Sequence, residues 1–182
     1  MTAFTHPRLR EIATYLDSIR GRLARVIADT PRAALTVVPA PGTWSGAQII
    51  QHLGKAEGST AKLLEGVFAA ALVAGLKAET SETSLLTSLA RFEGNGDALR
   101  PLVAPERLRP SDDADLDASW ASLQAVRERT YRAYSTVDGR DLTAVIAPHP
   151  LFGPLTGYEW LLFLGKHEER HLAQLNRQLA AA

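Results

Sequence analysis

Two stretches of this chain carry complete helix-start signals, and they limit what it can fold into. Ser45 is followed three residues later by Gln48, and Thr156 by Glu159. In such a pair the hydroxyl accepts from the backbone N–H three residues on, while the Gln or Glu side chain reaches back to the cap's own N–H. Trp44 with Ile49 and Leu155 with Trp160 flank the caps as hydrophobic staples. Apolar residues then recur at helical spacing. After Ser45 they are Ile49, Leu53, Ala56, Leu63, Leu64 and Val67; after Thr156, a stripe runs through Trp160, Leu164, His167, His171 and Leu175.

Two further helices share this pattern. Pro7 opens the first, because its missing N–H is not needed in a first turn. Leu9, Ile12, Leu16, Ile19, Leu23 and Val26 follow, and Pro31 closes it. A loop with Pro39, Pro41 and Gly42 leads to the Ser45 cap, and the second helix is predicted to run to about Lys77. Ser84 to Phe92 reads as a short extra helix. Glu93 to Asp112, with Gly94, Asn95, Gly96, Pro101, Pro105 and Pro110, reads as a long crossover loop. Asp112 or Asp113 is expected to cap a third helix ending near Thr136. Its inner face is Leu116, Trp120, Leu123, Thr130 and Tyr134, interrupted by Arg127. Leu142 to Ile146 reads as a short extended piece, and His149 to Leu155, with Pro150, Gly153 and Pro154, is not helix. Neither half has enough helices to bury its stripes alone. The expected fold is therefore all-α: a four-helix bundle over residues 1–182 as one domain, with a long crossover between helices 2 and 3.

Composition narrows function by exclusion. At 182 residues and 46% hydrophobic the chain has material for a real core. The net charge is zero, which gives no electrostatic case for nucleic acid or an anionic membrane. No apolar run reaches the roughly 18 residues of a spanning helix, and the N-terminus lacks a basic-then-apolar signal. There are no cysteines, which fits a cytoplasmic location and leaves His and carboxylates as the only metal ligands.

His167 and His171, four apart, lie on the apolar face of the last helix. An unpaired polar group buried there costs roughly 1–3 kcal/mol. A metal ion would satisfy both rings; hydrogen bonds to core neighbours are the plainer alternative. His167-Glu168-Glu169-Arg170-His171 formally matches H-E-x-x-H, in which the Glu would be the general base of a metalloprotease. The context argues against it. The eleven residues after His171 contain no His, Asp or Glu, no sheet edge is evident to bind a peptide, and Glu168 is expected at a flank or in solvent. A third ligand must come from upstream, where the histidines are His6 near the terminus, His52 on a helix flank, and His149 between two prolines, where it could instead line a pocket mouth. Three imidazoles leave an open position on zinc, nickel or iron, and do not choose among them.

Trp44-Ser45, Gln48 and His52-Leu53 resemble the second-helix motif of the DinB-like superfamily of metalloenzymes. His149-Pro150-x-Phe152-Gly153-x-Leu155-Thr156, Glu159-Trp160 and His167-x-x-Arg170-His171-x-x-Gln174 resemble its closing segment. The resemblance implies an up-down-down-up four-helix bundle. It also implies a metal, often zinc or nickel, held by one His of the second helix and two of the last: His52, His167 and His171. Among the neighbours, Gln174 lies one turn beyond His171 and is a candidate to orient an imidazole or a bound water. Trp44 is a candidate pocket wall. Arg170 is a candidate for an anionic substrate group or an ion pair with Glu168, Glu169 or another helix. Tyr15 and Tyr134 are candidate pocket hydroxyls.

The resemblance further implies a small-molecule substrate and a homodimer. Relatives include transferases that use low-molecular-weight thiols such as bacillithiol or mycothiol, and a mycothiol-dependent maleylpyruvate isomerase. An open metal position would bind such a thiol as thiolate, or water as hydroxide, and so supply a nucleophile that a cysteine-free chain lacks. The expectation is a metal-dependent enzyme of the thiol S-transferase or hydrolase type. The alternative is a non-catalytic, stress-associated bundle with a structural or vestigial metal.

Overall fold

The computed structural model describes residues 4–93 and 104–181. Part of the expected crossover loop, including Gly94, Asn95, Gly96 and Pro101, lies outside the described residues. The helices are α1 (Pro7–Asp29), α2 (Arg32–Thr36), α3 (Gly46–Val73), α4 (Leu116–Ser135) and α5 (Gly157–Ala180). Strands β1 (Ile146–His149) and β2 (Gly153–Thr156) pair as an antiparallel hairpin, with Ile146 opposite Thr156 and His149 opposite Gly153.

Both capping boxes form. The Ser45 N–H donates to Gln48 Oε1 at 2.9 Å, and the Gln48 N–H donates back to Ser45 Oγ at 3.2 Å. The Thr156 N–H donates to Glu159 Oε2 at 2.8 Å, and the Glu159 N–H to Thr156 Oγ1 at 3.2 Å. Pro7 opens α1 as expected.

Other boundaries differ from expectation. The second long helix stops at Val73, short of Lys77. Gly75 takes φ +83, in the left-handed region open to glycine, and Leu76 N–H reaches back to Ala71 O at 3.1 Å, which ends the helix in a Schellman turn. The α4 cap is Asp115, whose Oδ1 accepts from Ala118 N–H at 2.8 Å, and neither Asp112 nor Asp113. Among three nearby aspartates, the one next to the first buried apolar residue, Leu116, takes the role. The loop after Pro31 contains α2, and Leu35 on it is fully buried. The short extra helix expected over Ser84 to Phe92 is a 3-10 helix over Leu86 to Phe92. The extended segment begins at Ile146, later than Leu142, because Leu142 and Val145 turn their carbonyls onto the Gly157 N–H at the start of α5.

Contacts along the helices set their directions. Arg8 lies over the Tyr158 ring, Tyr15 against Gly165, and Arg22 near Glu169, so α1 and α5 run parallel. Gly54 faces Leu123 and Gly58 faces Val126, so α3 and α4 run parallel. Gly46 meets Leu175 and Gly157 meets Phe68, so α3 and α5 run antiparallel. The bundle is up-down-down-up. Two consecutive parallel helices require the chain to return the length of the bundle, which is the work of the α3–α4 crossover.

The core divides in two. One apolar cluster gathers Leu9, Ile12, Leu16, Phe68, Tyr134 and Leu161; the other gathers Leu23, Ile49, Ile50, Leu53, Leu123 and Leu175. Among the described residues, no helix is long and apolar enough to cross a membrane.

A Cβ added to Gly165 would overlap the edge of the Tyr15 ring, with Cδ1 and Cζ at 3.1 Å. Gly165→Ala should therefore cost about 1–3 kcal/mol, read as a lower urea midpoint at unchanged slope. Adding Tyr15→Ala should remove most of that penalty; simple additivity of the two losses would refute the contact.

Candidate metal centre

His52 sits on α3, two turns beyond the Ser45 box, and His167 and His171 sit one turn apart on α5. Because α3 and α5 are antiparallel neighbours, the three rings converge. Ring centroids are 5.2 Å apart for His52 and His167, 4.8 Å for His52 and His171, and 4.7 Å for His167 and His171. One nitrogen from each ring lies within 4.8 Å of the other two. His52 and His171 are buried, and His167 is half-buried.

The far side of two rings is fixed. His52 Nδ1 lies 2.8 Å from the carbonyl oxygen of Leu108, and His171 Nδ1 lies 2.9 Å from Gln174 Oε1. Both oxygens only accept, so both Nδ1 atoms carry the proton and both Nε2 atoms keep a lone pair. Burial lowers all three pKa values, and like charge on the neighbouring rings lowers His167 and His171 further. His171 is pushed down to about 3, and His167 well below its ordinary value. The rings are thus neutral at pH 7, the form that ligates. His52 Nε2 and His167 Nε2 stand 3.3 Å apart. Tetrahedral coordination with bonds of about 2.0–2.1 Å separates ligand nitrogens by about 3.3 Å, so this spacing and these lone pairs fit a divalent cation.

Aromatic rings cover the group. Trp44 lies 4.9 Å from His52 and stacks on His171 at 6.4 Å; Phe163 stacks on His167 at 5.6 Å. Of the other candidates, His6 caps α1 and does not join the group. His149 ends β1 and packs on Phe163, also outside it. Arg170 is half-buried on α5, its pKa lowered by burial and by Arg177. Tyr134 donates to the Gly157 carbonyl and Tyr131 to Asp17, so the Tyr134 hydroxyl serves the fold. Tyr15 packs its ring on Gly165.

Glu168 corrects the sequence expectation of a flank or solvent position: it is 2% exposed. It belongs to a closed ring of four charges, one from each long helix. Arg20 binds Glu168 through Nε at 2.6 Å and Glu57 through Nη2 at 3.1 Å; Arg127 binds Glu57 through Nε at 2.6 Å and Glu168 through Nη2 at 2.8 Å. Burial alone would lower the pKa of Arg127, but Glu57 and Glu168 hold it above the usual value. Both oxygens of Glu168 are engaged by arginine, so it is not placed as a general base. Arg127, an interruption in the apolar face of its helix, was the one sign of this ring in the sequence. Nothing there pointed to Leu108, which acts through its backbone.

The sequence profile described as the DinB superfamily matches residues 15–175. The chain belongs to the DinB superfamily. It is 28% identical over 138 residues to the uncharacterized protein YuaE of Bacillus subtilis (strain 168), covering 75% of this chain and 78% of that one. The crystal structure of TT2238, a four-helix bundle protein, superposes with a TM-score of 0.62 at 20% identity, over 92% of this chain and 97% of that chain. This likeness agrees with the bundle architecture of the superfamily member described here.

Removing Glu168 strands two buried arginines on one partner. Glu168→Ala should cost about 3–5 kcal/mol, and so should Glu57→Ala. The double variant should lose clearly less than the two losses combined, because the sites share both arginines. Urea denaturation of the three variants checks this; a loss under 1 kcal/mol for Glu168→Ala would sink it.

Proposed function

We propose that this chain is a metal-dependent enzyme acting on a small molecule, of the thiol S-transferase or hydrolase type. His52, His167 and His171 would hold one divalent cation, zinc, nickel or iron. The observation that carries the reading is the convergence of three neutral imidazoles from two antiparallel helices. A divalent cation held there supplies Lewis acidity, lowering the pKa of a thiol or water that reaches it.

The chain's own groups prepare that site. The Leu108 carbonyl and the Gln174 amide oxygen keep the protons of His52 and His171 on Nδ1, so that Nε2 is free to ligate. Trp44 and Phe163 cover two of the rings and limit water around them. Three imidazoles are the ligand count of sites that keep a position for substrate, whereas structural zinc sites usually have four protein ligands. With no cysteine in the chain, a thiol reactant has to arrive as a separate molecule. The bundle is also joined by two apolar clusters and the four-charge ring without the histidines, which supports a catalytic role over a structural one.

Elemental analysis of untagged protein should find about one equivalent of zinc, nickel or iron. His52→Ala and His171→Ala should lose it, and any thiol-transfer or hydrolytic activity with it, while shifting the thermal midpoint by only a few degrees. Metal-free protein that refuses added metal would overturn the proposal; collapse of the fold on metal loss would favour the structural alternative. Gln174→Ala should weaken metal affinity roughly 10- to 100-fold, and Gln174→Glu, which keeps an acceptor, should restore most of it. Competition with a chelator measures both.

A further inference from the structure

His149 stands outside the three-histidine group and is held in a defined state by its own hairpin. Its Nδ1 accepts from the Leu151 N–H at 3.1 Å and the Phe152 N–H at 3.3 Å. Two donors on Nδ1 place the ring proton on Nε2. Burial pushes the pKa to about 4, so the ring is neutral near pH 7. Nε2–H makes no hydrogen bond to a described residue and is open to solvent.

The ring around this donor is apolar. Phe163 lies 4.4 Å from His149, Phe152 5.0 Å and Trp160 5.1 Å. Phe163 also stacks on His167, with the planes 21° apart. Trp160, Phe163 and His167 follow one another along one face of α5. A continuous aromatic wall therefore joins the three-histidine group to a single polar donor one ring away.

We propose that His149 is a substrate-binding residue, whose Nε2–H takes a carbonyl or carboxylate oxygen of a ligand that lies along the Phe163 wall with its other end at the three histidines. This rests on the metal reading above. It adds the substrate class: a small thiol or ester-like molecule with a flat apolar body and an oxygen acceptor. A donor fixed at the end of an apolar wall favours a ligand whose acceptor reaches it while its body covers the rings.

The plainer role for His149 is to cap the hairpin turn, and two substitutions separate the roles. In His149→Asn, Oδ1 takes the place of Nδ1 and keeps the turn, but the distal donor is gone. In His149→Gln, the distal amide N–H is kept and the turn acceptor is lost. The protein would be loaded with cobalt, with loading measured first. It would then be titrated with benzenethiol, 3-mercaptobenzoate and 4-mercaptobenzoate, following the sulfur-to-cobalt absorption. The wild type should bind at least one mercaptobenzoate about tenfold tighter than benzenethiol. His149→Asn should abolish that preference, and His149→Gln should keep it. No preference in the wild type, a preference that survives in His149→Asn, or its loss in His149→Gln as well would overturn the proposal. Failure of the wild type to take up cobalt would instead overturn the three-histidine reading, and this one with it.

Discussion

Two arginines and two glutamates meet in the middle of the bundle, and each of the four long helices supplies one of them. Arg20, Glu57, Arg127 and Glu168 alternate in sign around a closed ring, so the net charge buried is zero. Apolar packing alone allows one helix to slide past another by a turn at modest cost. A ring of directional bonds does not, since a shift at one corner strands a buried charge. Glu168 is the immediate neighbour of His167, and Glu57 lies little more than a turn beyond His52 on the same helix. The ring that sets the register of α3 against α5 thereby also sets whether the histidines of those helices meet.

The layers follow from this. The ring lies between the two apolar clusters, one toward the start of α5 and the hairpin, the other toward its end and α2. The three histidines sit at the same level, beside the ring and under Trp44 and Phe163. Two sets of polar groups at one depth thus take opposite forms. One is a set of opposite charges that pair with one another. The other is kept neutral by burial, with lone pairs turned inward.

What the sequence made legible was local. Helical stripes, the two capping boxes and the last-helix His pair are each written within a few residues; both boxes formed, and the stripes face inward except at Leu63, which is exposed. The choice of His52 over His6 and His149 needed more than spacing, and came from resemblance in the motifs around Ser45 and His167. The ring escaped notice because its partners are 37 to 148 residues apart in the chain. On a helical projection, Glu168 looks like a flank residue, and only the docking of α1 and α4 turns that flank into interior. Asp115 was passed over for Asp112 or Asp113 because three aspartates compete there. The hairpin was hidden by a run of prolines that reads as loop.

The Leu108 carbonyl has a consequence for how this site would respond to change. The group that orients His52 belongs to the main chain of the crossover, which Gln51 and Ser111 tie to α3. Every amino acid carries that carbonyl, so replacing the side chain at position 108 leaves the contact in place. A scan that trims side chains one by one would therefore pass over a member of the centre. Lengthening or shortening the crossover, or cutting the Gln51–Ser111 tie, would move that carbonyl without touching a histidine. The tuning of the site is in this respect a property of loop length, and can drift while all three ligands stay unaltered.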